Sequence, residues 1–270
     1  MNGTTDNLCT YEVDDGVAVL SFNRPDSMNG MTGNMEVAYF ERLLQAEADD
    51  DVRAIVLTGT GRGFCPGADL ANNRGPDDHP LPNQTLARTT PLDIAKPMIA
   101  AVNGACAGVG LAYALQCDVR FAARGVKFTT AFARRGLIAE YGIAWLLNDI
   151  AGRAVALDLL LSARVVLTDE AHELGIVNAV YEPDELLEAA IAYAADLAAN
   201  VSPASMATIK RQLNTETAMS AHDALADAEA LMVESIDGTD VAEGITSFLE
   251  RRQVDFAPLG KGTRFEWMDT

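Results

Sequence analysis

The chain has 270 residues, 49% of them hydrophobic, enough for one large domain with a sizeable core. Its formal net charge is −19 and only four of its 20 basic residues are lysines, which argues against nucleic acid, because phosphate binding draws on clustered Lys and Arg. No run approaches the ~20 apolar residues of a membrane span. The opening MNGTTDNLCTYEVDDG is polar and acidic, so no leader segment is expected. The cysteines at 9, 65, 106 and 117 form no CxxC pair, so a reduced, cytoplasmic protein is expected.

Residues 10–13 and 17–22 flank Asp14-Asp15-Gly16, a hairpin signal. Residues 32–48 have helical spacing, with an apolar stripe through Met35, Phe40, Leu43 and Leu44. Residues 52–58, VRAIVLT, read as a buried strand, followed by the glycine-rich turn GTGRGFCPGADL at 59–70. Residues 71–93 are polar and rich in proline, a loop of lid length with one short helix near 84–95. A strand at 98–102 leads into NGACAGVGLAYALQCD. A short strand at 119–122 and an extended or mixed stretch at 127–132 precede a turn at 136–142. Helices are predicted over 143–150 and 154–161. Thr168 is expected to cap a further helix that Gly175 ends, before a strand at 176–181. From Pro183 the chain is helical, over roughly 183–199, 203–219, 222–236 and 239–252. The histidines at 79, 172 and 222 lie far apart, so neither a His-based metal site nor a Ser–His triad is expected.

Strand, glycines and helix start at 98–118 leave backbone N–H groups without intrahelical partners, suited to an anion or a developing negative charge. Two readings compete. Gly104-x-x-x-Gly108-x-Gly110 is the glycine spacing of short-chain dehydrogenases, which cradle a dinucleotide with it. That family carries the motif near its N-terminus with a Tyr-x-x-x-Lys pair downstream, and none of the six tyrosines here has a lysine four places on. The other reading is an oxyanion hole, which needs a second backbone donor.

Taken together, the motifs resemble the crotonase (enoyl-CoA hydratase/isomerase) superfamily. AVLSFNRPDSMNGMT at 18–32, RAIVLTGTGRGFCPGADL at 53–70, KPMIAAVNGACAGVGLAYALQCDVRFAA at 96–123 and EGITSFLERR at 243–252 are similar to that family's pattern. The resemblance implies an α/β fold, a crotonase-like ββα spiral over 1–200 holding the acyl-CoA site. It also implies a helical region over 201–270 for oligomerisation, as a homotrimer or a dimer of trimers. The implied substrate is an acyl-CoA thioester, with coenzyme A part of the substrate and no separate cofactor or metal.

By motif match, the two N–H donors holding a thioester enolate belong to Ala68 and Val109. Glycine lets the backbone approach closely, and such a donor is typically worth ~3 kcal/mol in the transition state. Pro66, Gly67, Leu70 and Gly108 accompany them at the substrate. Asp69 is expected to orient the 66–70 turn, and Arg24, Arg62 and Lys96 to meet CoA phosphates or remain on the surface. Arg134 and Arg135 are expected to form ion pairs near a subunit contact.

The family's hydratases use two glutamates, and the matching positions here are Ala112 and Phe132, neither of which titrates. Glu140, in GLIAEYG, resembles the single base of Δ3,Δ2-enoyl-CoA isomerases, with Phe132 and Ala112 lining the acyl pocket. Hydratase activity, with Glu140 serving alone, is the alternative, and a non-catalytic CoA-binding protein the remote one.

Overall fold

The computed structural model describes residues 7–70 and 87–269. β1 (Cys9–Asp14) and β2 (Val17–Phe22) form the expected antiparallel hairpin. Ala18, Leu20 and Phe22 alternate inward from β2 into the core. α1 (Gly33–Ala48) starts where the Thr32 hydroxyl accepts a bond from the Met35 N–H at 3.3 Å. Its far end is closed by Lys96, which is buried and donates from Nζ to the carbonyls of Ala46 and Asp49, each at 2.7 Å. Lys96 therefore offsets the negative end of α1 and does not sit on the surface.

β3 (Ala54–Gly59) is buried along its whole length, as a strand covered on both faces must be. β4 (Gly63–Cys65) follows directly. Next come α2 (Thr90–Asp93), β5 (Met98–Val102), β6 (Ala105–Ala107) and the fully buried α3 (Val109–Gln116). α2 lies within the short helix expected near 84–95, and residues 71–86 of the loop expected over 71–93, read as a lid or a surface connection, lie outside the described residues. β7 (Val119–Ala123) and β8 (Lys127–Thr129) complete the next turn of the chain.

α4 (Ile143–Ser162) joins the two helices expected over 143–150 and 154–161. They meet at Gly152, whose φ of 79° and ψ of 162° break the helical ladder. After β9 (Val166–Leu167), α5 (Thr168–Glu173) corrects the expected cap. Leu167 takes the cap position, while the buried Thr168 hydroxyl donates to the Ala123 carbonyl at 2.7 Å. A buried carbonyl outcompeted the helix start for that hydroxyl. β10 (Ala179–Tyr181) is half the expected strand, because Ile176 and Val177 turn back to bond the Ala171 carbonyl. α6 (Leu186–Asn200), α7 (Pro203–Glu216), α8 (Ala221–Ile236) and α9 (Thr239–Glu250) follow.

The strands form two sheets. The larger has the order β1-β2-β3-β5-β7-β10, parallel except for the first pair. The smaller, β4-β6-β8-β9, is parallel except for the last pair. Successive passes of the chain add one strand to each sheet, so the core winds as a spiral. One continuous apolar core runs from Cys9 to Ala198, and a separate small cluster joins Ala204, Leu231 and Phe265. No helix among the described residues is long and apolar enough to cross a membrane.

Candidate active site

The site follows from the register of the small sheet. β4 and β6 run parallel with Cys65 opposite Cys106, and β6 and β8 run parallel with Ala107 opposite Thr129. The segments that leave these strands, 66–68, 108–109 and 130–132, therefore emerge side by side. With Leu70, Arg88, Arg135 and residues 137–141 they line a cavity of about 600 Å³.

Two turns on its wall hold backbone that only glycine adopts readily. Gly67 has φ 115°, and Gly108 has φ 51° with ψ −121°. A Cβ on Gly108 would stand 3.8 Å from the Gly67 Cα, so the two turns touch. The first turn is pinned by a bridge to Met31, whose N–H donates to the Gly67 carbonyl at 2.8 Å and whose carbonyl accepts from Asp69 N–H at 2.9 Å. Between those bonds, the Ala68 N–H has no acceptor among the described residues. Val109 opens α3, so its N–H has no intrahelical acceptor, whereas Gly108 N–H is spent on the Thr129 carbonyl at 3.1 Å. Adjacent turns thus bring to one cavity two amide donors that have no acceptor among the described residues.

Gly110 keeps the turns together. A Cβ there would stand 2.1 Å from the Cys65 carbonyl oxygen, so α3 presses directly onto the end of β4. Gly110→Ala is expected to destabilise the fold by about 1–3 kcal/mol through overpacking. An unchanged midpoint in chemical denaturation would refute that contact.

Asp69 is held in an ion pair with Arg24. Its Oδ2 lies 2.8 Å from Arg24 Nη2, with the side chains only 18% and 8% exposed, and Arg24 also donates to the Gly30 carbonyl. Arg24 is thereby placed outside the cavity lining, its charge committed to Asp69. Arg62 precedes β4 and lies at the opposite end of that strand from the cavity. Ala112 is fully buried inside α3 and does not reach the cavity wall, whereas Phe132 lines it beside Gly108. Arg134 and Arg135 form no ion pair among the described residues. They donate to the carbonyls of Ser162 and Ala131, each at 3.0 Å, and Arg135 joins the cavity lining.

Glu140 is half-buried on the same wall, beside Ala139 and Tyr141. Its carboxylate does not cap α4: the cap position is Gly142, and the Ile143 N–H bonds the Glu140 backbone carbonyl at 3.1 Å. No hydrogen bond or ion pair ties the Glu140 side chain to another described residue. Tyr141 has φ 56°, and the Arg88 guanidinium lies 4.3 Å from the centre of its ring. Burial, reinforced by the Glu36 carboxylate, holds the Tyr141 hydroxyl above its ordinary range, so it stays a neutral phenol. Burial likewise pushes the Cys65 thiol up to about 12, which leaves no thiolate beside Gly67 at neutral pH. Sequence reasoning did not single out Arg88, Thr130, Ala131 or Tyr141, all of which line the cavity.

Two sheets wound by repeated strand-strand-helix turns, with two glycine turns touching at one end, define a protein of the crotonase superfamily. The chain belongs to the enoyl-CoA hydratase/isomerase family, whose model matches residues 12–258, and it is an enzyme of that family. It is 36% identical to the 1,2-epoxyphenylacetyl-CoA isomerase of Escherichia coli, over 90% of this chain and 96% of that one. It is 30% identical to the short-chain-enoyl-CoA hydratase of Clostridium acetobutylicum, over 92% and 97% of the two chains. Among solved structures, a probable enoyl-CoA hydratase/isomerase from Mycobacterium abscessus superposes with a TM-score of 0.85 at 31% identity, covering 93% of this chain and 98% of that one.

Proposed function

We propose that this enzyme moves a carbon–carbon double bond of an acyl-CoA thioester from the Δ3 to the Δ2 position, with Glu140 as the acid/base. The observation that carries the reading is the cavity's charge inventory: Glu140 is the one carboxylate among its described lining residues. The carboxylate takes a proton from C2. The electron pair moves into the thioester carbonyl, whose oxygen is held by the N–H groups of Ala68 and Val109. The same carboxyl then returns the proton at C4, so one shuttling group suffices. Phe132, Leu137, Ile138 and Leu70 supply apolar lining for the acyl chain.

Hydration is the second reading, favoured by relatives named as hydratases. It asks for one group to deprotonate water and another to protonate carbon, and Ala112 and Phe132 supply neither. Purified protein is expected to convert a 3-enoyl-CoA faster than it hydrates crotonyl-CoA. The opposite order would displace the first reading.

We place assembly on the C-terminal helices. They leave Met232, Val233 and Ile236 of α8 and Ile245, Phe248 and Leu249 of α9 exposed, and Phe248 keeps 81% of its surface in solvent. Apolar surface of that extent favours burial against further copies. Light scattering is expected to give three chains or a multiple of three, and a monomer at micromolar concentration would refute it.

A further inference from the structure

Behind the cavity wall lies a buried carboxylate that the proton shuttle does not use. Glu36, on α1, is 3% exposed. Its Oε1 accepts from the Tyr113 hydroxyl of α3 and from Arg88 Nε at 3.4 Å. Arg88 in turn lies over the Tyr141 ring, and the Tyr113 ring meets Tyr141 edge-on at 5.9 Å between centroids. A carboxylate that far from water is costly unless its partners are charged or strong donors, and both partners here lead to Tyr141. That residue holds positive φ, which a tyrosine adopts only when its surroundings enforce it. The next residue back is Glu140.

We propose that Glu36 is a positioning residue: through Arg88 and Tyr113 it braces the Glu140–Tyr141 turn from behind and offsets the Arg88 charge on the cavity wall. The kinetic part of this role rests on Glu140 being the base. Among the described residues, the charged and titratable groups of the cavity wall are Arg88, Arg135, Tyr141 and Glu140 itself, with Glu36 and Tyr113 one layer behind. Removing the Glu36 charge makes the wall more positive. An acid limb set by Glu140 then moves to lower pH.

Glu36→Gln keeps the size and one acceptor but removes the charge. Hydrogen exchange, read without substrate, is expected to rise locally over residues 139–146, where the Ile143 N–H bonds the Glu140 carbonyl. With a 3-enoyl-CoA, kcat is expected to fall about ten-fold with KM nearly unchanged, as for a misplaced base. The acid limb of the kcat profile should shift down by about half a pH unit. Adding Arg88→Gln should return the limb but not the rate. Arg88→Lys, at a partly exposed position, keeps the charge and loses the flat stack. It should raise the same local exchange while leaving the limb in place, and it decides the question should Glu36→Gln not fold. Wild-type exchange over 139–146 in the folded variants would overturn the bracing, as would exchange that rises equally over the whole chain. A Glu140→Gln enzyme of full rate would remove the base instead, and local exchange alone would then judge Glu36.

Discussion

Glu140→Gln is expected to slow double-bond migration by roughly 10²–10⁴-fold, the usual contribution of a positioned acid/base, with KM for the thioester little changed. The amide has the size and shape of the carboxylate but cannot accept the C2 proton. The loss amounts to about 3–5 kcal/mol of activation free energy. Folding stability should hardly move, because the side chain bonds no described residue and does not cap α4. That separation makes the test sharp: a slow enzyme with an unshifted melting temperature reports chemistry, not damage. Retention of more than half the wild-type rate would place the base elsewhere, and no other described carboxylate lines the cavity.

What the sequence disclosed, and what it hid, follows from how far each interaction reaches. The hairpin, α1 and β5 were legible because their apolar periodicity and turn chemistry are local, and the glycine turns at 66–70 and 107–110 because their motifs are contiguous. The small sheet was not. β4, β6 and β8 are three residues each, too short for alternation to register; β4 and β6 read as parts of glycine-rich turns and β8 as part of an extended or mixed stretch. Their parallel pairing nevertheless brings Ala68, Val109 and Phe132 to one cavity. The Glu36 assembly draws on α1, α3, residue 88 and the turn before α4, and nothing in the local pattern at 36 separates it from a helix-surface glutamate. Arg24 and Lys96 read as ligand or surface cations because a sequence shows charge without showing the carboxylate or carbonyls that consume it. Ala112 was placed by motif position, whereas the turn of α3 points it into the core.

The second large effect is expected at a backbone atom. Val109→Pro deletes the N–H of one proposed enolate donor at a place where proline suits the fold. Val109 is the first residue of α3, where the amide has no helical acceptor to lose and the fixed φ of proline matches the helix. The residue before it, Gly108, has ψ −121°, outside the α region that a following proline disfavours. The variant should fold, and kcat should fall by about 10²–10³, or roughly 3–4 kcal/mol, the cost of one lost oxyanion donor. Val109→Ala is the control. It also trims the buried isopropyl group but keeps the amide, so it shares the packing loss and not the electrostatic one. The informative quantity is the difference between the two variants. If proline and alanine at 109 gave the same rate, the amide of Val109 would hold no developing charge, and the pairing of the two glycine turns would be architecture alone.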